Sequence, residues 1–386
     1  MSHAVLSPSG ASRWLNCTPS ARLEQNFPDS SGEAAKEGSV AHELGEALLR
    51  GYLEPEAFPD INAVISRIQE SKYYNAEMQD HAENYASFVI ETFEAAKAIT
   101  KDAVLQIEAK LNLTDYVPEG YGTGDAVIIA DGTMNIIDLK YGKGVNVSCE
   151  NNKQMMLYAL GGLRDFDFMY SIDKVCMTIY QPRMDNISTF EMSVVDLQAW
   201  AENFLKPLAK LAFEGAGVFK VGDHCRFCRA KANCKANATE NLELAKYDFQ
   251  DAVLLNDTEV ADILSRASAF KAWLTAVEDM ALTEAVEKGK NWPGYKLVEG
   301  RSNRVYSDED KVAEALVREG FAESEIYTRK ILGITAMEKA ITKKTFESVL
   351  GGLIIKPVGK PTLVVESDKR SAWNSAESAK NDFSNN

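Results

Sequence analysis

The apolar residues of this chain change period at Val104, and that change limits what it can fold into. Val40, Leu44, Leu48 and Leu49 recur at helical spacing across residues 33–51, with Gly51 as a stop. Tyr85, Phe88, Val89 and Phe93 give residues 76–100 a second helical pattern. From Val104 the pattern is that of strands: Val104–Leu111, then Gly124–Ala130, then Met134–Lys140, with Asp131-Gly132 as a hairpin turn. Residues 151–163 read as helix, Lys174–Gln181 as strand, and the stretch from Asp196 to about Ala212 as helix. Helix, strands, helix and strand in that order predict an α/β core.

The length of 386 residues suggests two or three domains, or one large domain with an attachment. A soft boundary is expected near residue 240, giving a core over 1–240 and a smaller α-rich accessory region over 241–386. Residues 258–289 read as one long helix or two shorter ones, and Ser371–Asn386 as a frayed polar tail. The net charge of −15 argues against a non-specific nucleic-acid coat. It leaves room for a DNA enzyme, because a metal site for phosphodiesters itself needs carboxylates. No stretch approaches the ~20 apolar residues of a membrane span. The first residues lack a basic region leading into an apolar one, so a cytoplasmic protein is the expectation.

The most informative segment runs from Gly122-Thr-Gly-Asp125 to Asp138-Leu139-Lys140. Asp138 and Lys140 are two apart on one strand and therefore share a face. Asp125, on the adjacent strand, reaches the same face in the right register. Two carboxylates beside a lysine suit a hard divalent cation, which polarises a phosphoryl oxygen and acidifies bound water. Three further features add to this set. His42, within His42-Glu43-Leu-Gly-Glu46, is a candidate ligand, although the zinc-peptidase pattern fails because Glu46 replaces its second histidine. Gln154 and Tyr158 are four apart and share a helix face, where they offer neutral hydrogen bonds. Glu108 is a further carboxylate on the strand before Asp125. Each also has a plain reading, as a solvated histidine, a polar helix stripe or a surface glutamate.

The six cysteines are too few for a disulfide scaffold in a chain this long. Three of them, Cys225, Cys228 and Cys234, form C-x₂-C-x₅-C. Three thiolates need a fourth ligand to close a tetrahedral zinc site or hold a cluster. Cys17 is the candidate, and His224 competes if the metal is zinc. Cys149 and Cys176 read as core thiols. Residues 220–235 carry Lys220, Arg226, Arg229, Lys231 and Lys235 against Asp223, a plausible phosphate-facing patch. Arg13 and Trp14 add charge and a stacking surface near Cys17, though Trp14 reads equally well as core.

The order His42, Glu108, Gly124-Asp125, Asp138-Leu139-Lys140 and Gln154-X-X-X-Tyr158 resembles the PD-(D/E)XK nuclease superfamily. The likeness is greatest to its RecB-like branch, which includes the AddB and Cas4 nucleases, and it covers about residues 1–235. Gly10-Ala-Ser-Arg13-Trp14-Leu-Asn-Cys17 is similar to a stretch common in the phage and prophage branch. The resemblance implies a restriction-endonuclease-like core, a mixed central sheet flanked by helices, with an iron–sulfur staple. It implies that His42, Asp125, Asp138 and the Leu139 carbonyl bind Mg²⁺ or Mn²⁺, that Lys140 acts on the attacking water, and that Gln154 and Tyr158 contact phosphate or support the site. It implies that Cys17, Cys225, Cys228 and Cys234 hold a [4Fe-4S] cluster, with zinc the lesser candidate. The expected activity is a DNA exonuclease acting on single strands or free ends, alongside phage recombination or replication proteins. Two other readings stand beside it: a non-catalytic DNA-binding scaffold that keeps the fold, and a zinc-stabilised interaction protein. In the accessory region, Trp292-Pro-Gly-Tyr295-Lys296 and Arg301-Ser-Asn-Arg304-Val-Tyr306 mix aromatic and basic residues that suit nucleic acid or a packed hairpin.

Overall fold

A computed structural model describes residues 4–28, 32–53, 55–56, 60–243, 256–298, 308–319 and shorter stretches between 322 and 354. It divides into two compact units, Met1–Lys288 and Gly289–Asn386. The first unit opens with helical turns at Ala11–Trp14 and Ser20–Leu23, followed by α1 (Glu33–Leu53), α2 (Ile61–Gln69) and α3 (Ala76–Ile99). Strands β1 (Val104–Asn112), β2 (Tyr121–Ile129) and β3 (Gly132–Leu139) lead to α4 (Lys153–Phe166). Then come β4 (Ile172–Gln181), β5 (Asn186–Ser193), α5 (Val194–Trp200), a π turn at Ala201–Leu205 and α6 (Lys206–Glu214). Helices α7 (Lys235–Leu242) and α8 (Asp257–Lys288) complete this unit. Residues 257–288 form one helix rather than a pair, and residue 240 falls inside α7. The second unit contains α9 (Glu309–Arg318) and α10 (Lys343–Leu350). The Arg301–Tyr306 segment and the tail from Ser371 lie outside the described residues. No helix among the described residues is long and apolar enough to cross a membrane.

The five strands form one mixed sheet in the order β1-β2-β3-β4-β5. Only β3 and β4 run parallel, and α4 makes the crossover between them. Helices cover both faces, so β3 is buried on both sides. Met134 and Ile136 join Val127 and Ile129 in a core with α4. Ile137 and Leu139 join Ala126 and Ile128 in a second core with Tyr85, Val89 and Phe93 of α3. Strand β5 alternates half-buried and exposed residues, as an edge does.

Residues 13–24 act as a strap against the far end of the unit. Thr18 Oγ1 donates to Ala216 O at 2.7 Å, 198 residues away. Arg22 Nε donates to Phe213 O at 2.6 Å, and Glu24 accepts the Arg229 N–H at 2.9 Å. This strap carries Cys17 toward the cysteine segment.

Candidate active site

Three elements each contribute, to a cleft beside the sheet, one side chain able to ligate a metal. His42 of α1, Glu108 of β1 and Asp125 of β2 place one ligand atom apiece within 4.8 Å of one another. His42 Nδ1 lies 3.3 Å from Asp125 Oδ2, and that oxygen also accepts the Leu139 N–H at 2.7 Å. Gly38, Ser39, Glu43, Glu46 and Thr123 line the same cleft.

Glu108 reaches the cluster through an interruption of β1. The β1–β2 ladder pairs Ile107 with Ala126 and Ala109 with Gly124, but skips Glu108 and Asp125. Glu108 sits there at φ 49°, a left-handed conformation costing a non-glycine residue about 1–3 kcal/mol. The buried side of β1 changes at the same point: Leu105 and Ile107 pack with α3, whereas Ala109 and Leu111 pack with α4.

A second group adjoins the first. Asp138, only 2% exposed, pairs with Lys140 Nζ at 2.8 Å. Lys140 Nζ donates to Gln154 Oε1 at 3.0 Å. The Gln154 amide in turn donates to Asp138 Oδ1 at 3.3 Å and to the Tyr158 hydroxyl at 2.9 Å. Asn152 caps α4 by accepting the N–H groups of Gln154 and Met155, which fixes the turn that carries Gln154. The extended backbone of β3, carried one residue further by the Lys140 N–H bond to Tyr180 O, and period four on α4 thus bring Asp138, Lys140, Gln154 and Tyr158 into one chain of contacts.

The electrostatics follow from burial and charge. Burial alone would depress His42, but the Asp125 carboxylate beside it raises it to about 9. Burial would lift Asp125, yet His42 and Lys140 hold it below the usual carboxylate range. Burial raises Asp138 despite its lysine. Burial would lower Lys140, and Asp138 and Asp125 overcome it, so the ammonium stays charged. Glu108 is pushed up to about 7 by burial and by facing Asp125 and Glu46. The cleft therefore gathers more negative than positive charge, and oxygen and imidazole donors in such a set fit a hard divalent cation.

The structure gathers the expected residues in two adjoining groups. The close ligand set is His42, Glu108 and Asp125, while Asp138 is engaged by Lys140 and Gln154. The Leu139 backbone N–H serves Asp125. Tyr85, legible only as a helical apolar position, puts a fully buried phenol, without a hydrogen-bond partner among the described residues, in the field of Asp125, Asp138 and Glu108.

The structure brings Cys17, Cys225, Cys228 and Cys234 around one small pocket, with Arg13, His224 and Lys231 on its wall. Their sulfurs do not form a group within 4.8 Å of one another, whereas a zinc tetrahedron with Zn–S bonds of about 2.3 Å would draw them to about 3.8 Å. His224 Nε2 contacts the Lys220 carbonyl at 2.9 Å. Trp14 is a correction to the stacking expectation: it is 2% exposed, packs in the core and donates its indole N–H to Ser7 O at 3.0 Å. Arg13 pairs with Glu24 at 3.1 Å. Arg226 and Arg229 are exposed, and Lys231 donates to the Arg226 carbonyl at 3.2 Å.

The family model described as "Protein of unknown function (DUF2800)" matches residues 3–371. The chain belongs to the DUF2800 family. Two solved structures are similar to this DUF2800 chain. One, SSO0001, is 16% identical over 57% of this chain and 95% of its own, with a TM-score of 0.22. The other, named "Putative exonuclease", from Eubacterium rectale, is 12% identical over 67% of this chain and 92% of its own, with a TM-score of 0.31. At those scores, any chemistry assigned to this DUF2800 protein rests on its own residues.

Proposed function

We propose that this chain is a divalent-metal-dependent nuclease that hydrolyses phosphodiester bonds in DNA. The observation that carries the reading is the His42–Glu108–Asp125 ligand set, lying beside a lysine held by Asp138 and Gln154. Mg²⁺ or Mn²⁺ bound there would polarise a phosphoryl oxygen and lower the pKa of water. The protein's own part is to aim Lys140. An ammonium has three donors. Gln154 accepts one of them and the Asp138 carboxylate lies 2.8 Å away as an ion pair, and a remaining donor would orient the attacking water or offset charge on the phosphate. Gln154 is fixed in turn by Tyr158.

The cysteine pocket supports a structural role for a [4Fe-4S] cluster held by Cys17, Cys225, Cys228 and Cys234. The three-cysteine C-x₂-C-x₅-C spacing, with Cys17 lining the same pocket, is what supports this part of the reading. That group would fasten the strap to the end of the unit.

The test is anaerobic purification followed by incubation of the wild type and Lys140→Ala with end-labelled DNA and Mg²⁺ or Mn²⁺. Metal-dependent cleavage that Lys140→Ala loses by a factor of about 10² or more supports the reading. A wild type that binds DNA with its metal loaded and never cuts it turns the reading to a non-catalytic scaffold.

A further inference from the structure

A second surface of the first unit combines a lysine that has no carboxylate partner among the described residues with a stacked aromatic pair whose outer ring, Phe204, is exposed. Lys153 begins α4, immediately before Gln154, whose amide touches Lys140 and Asp138. Lys153 is half-buried, and among the described residues its ammonium has no carboxylate partner. It lies instead 5.2 Å from the centre of the Trp200 ring. Trp200 stacks on Phe204, with centroids 6.2 Å apart and planes 29° from parallel.

The backbone explains why this pair is displayed. Pro207, at the start of α6, has no N–H to continue the ordinary helical ladder. The chain crosses that point by a π turn, with the Lys206 N–H reaching back to Ala201 O. The wider turn keeps Leu197, Ala201, Leu205 and Ala209, each four apart, on the fully buried face. Trp200 and Phe204 stand one residue to the side. Trp200 is half-buried against the core, whereas Phe204 is 45% exposed. Glu202, the nearest acid on this turn, is matched by Lys206 at 3.1 Å, and Lys206 also lies 5.8 Å from the Tyr116 ring centre.

The geometry points to a stacking platform for unpaired nucleotides, with Phe204 and the Trp200 edge receiving a base and Lys153 its phosphate. A duplex keeps its base faces covered, so this chemistry selects a single strand. The inference rests on the nuclease reading for its biological sense, because Lys153 adjoins Gln154, but binding can be measured without cleavage.

The experiment uses the full chain in EDTA and a fluorescein-labelled thymidine oligonucleotide, with a blunt duplex as the comparison and anisotropy as the readout. Phe204→Ala is expected to weaken oligonucleotide binding by about 5- to 150-fold, the loss of one stacked base. Phe204→Leu, which keeps the apolar volume without the aromatic face, is expected to show the same loss with unchanged circular dichroism. Lys153→Gln is expected to reduce the slope of log affinity against log salt by about 0.7. The inference is overturned if the wild type fails to bind the oligonucleotide, or if both Phe204 variants bind as the wild type does. If the oligonucleotide is bound through Phe204 while Mg²⁺ and Mn²⁺ elicit no cutting, the platform stands and the nuclease reading alone fails.

Discussion

Helix α4 carries two adjacent glycines whose replacement by alanine should have opposite consequences. A Cβ added at Gly161 would lie 2.7 Å from Leu111 Cβ and 3.4 Å from Leu111 Cα. A Cβ added at Gly162 would lie 2.8 Å from Met134 Sδ and 3.2 Å from Met134 Cε. Both changes gain about 1 kcal/mol of helix propensity. They differ in what must yield. Leu111 Cβ is fixed to the β1 backbone, so Gly161→Ala has to lift the helix from the strand, at an overpacking cost of about 1–3 kcal/mol. Met134 meets its new neighbour with the end of a flexible side chain that can re-rotate. Gly161→Ala should therefore destabilise the chain by about 1 kcal/mol on balance, and Gly162→Ala should be neutral or slightly stabilising. Lifting α4 also moves Gln154 and Tyr158 away from Lys140, so Gly161→Ala should lose activity beyond its stability cost. Urea unfolding followed by circular dichroism gives the two midpoints side by side. Equal midpoints, or a stabilised Gly161→Ala, would refute the claim that this helix is seated by the absence of a side chain.

Other consequences are open to measurement. Glu108→Ala should weaken Mn²⁺ binding in calorimetric titration by at least about tenfold, and wild-type affinity in that variant would remove Glu108 from the ligand set. On the proposed cluster, the wild type should carry iron and acid-labile sulfide that Cys17→Ser loses; a wild type without them overturns the cluster, and full iron content in the variant transfers the fourth position to another group such as His224. Cys149 is fully buried, donates to Met177 O at 2.9 Å and is pushed up to about 12 by burial. At pH 8 only about one such thiol in 10⁴ is ionised, so Cys149 should resist iodoacetamide until the chain unfolds; mass spectrometry of the native protein checks this. Asn75 caps α3 by accepting the Met78 N–H at 3.0 Å, and Asn75→Ala should cost about 1 kcal/mol in urea unfolding.

What the sequence disclosed is what short-range periodicity controls. The two-residue spacing of Asp138 and Lys140 and the four-residue spacing of Gln154 and Tyr158 needed only strand and helix geometry to become neighbours. Glu108 needed more. Regular alternation along β1 gives no hint of a left-handed non-glycine residue, and it is this residue that turns the carboxylate toward His42. Strand β5 was not anticipated because an edge with few buried residues lacks a strong apolar pattern. Trp14 stayed open between two readings because a tryptophan beside an arginine looks the same in sequence whether its ring faces solvent or core. Cys17 could be nominated because the chain's start can fold back on the end of the core, but its place beside Cys225 depends on contacts made across about two hundred residues, which no local pattern encodes. The Trp200–Phe204 pair passed unnoticed within a stretch read simply as helix, because a π turn leaves no mark on residue spacing shorter than its own length.

The strap at residues 13–24 has a consequence for the order in which the protein is made. Its anchors, Phe213, Ala216 and Arg229, leave the ribosome some two hundred residues after it does. The stretch synthesised early therefore makes its last contacts late: Trp14 and Leu15 can pack on the sheet and α4 first, whereas Thr18, Arg22 and Glu24 wait for their partners. Synthesis at about 5–20 residues per second leaves that interval at roughly 10–40 seconds. During it, Cys17 is separated from the other three cysteines, and a chain halted before Cys225 has no means of gathering all four.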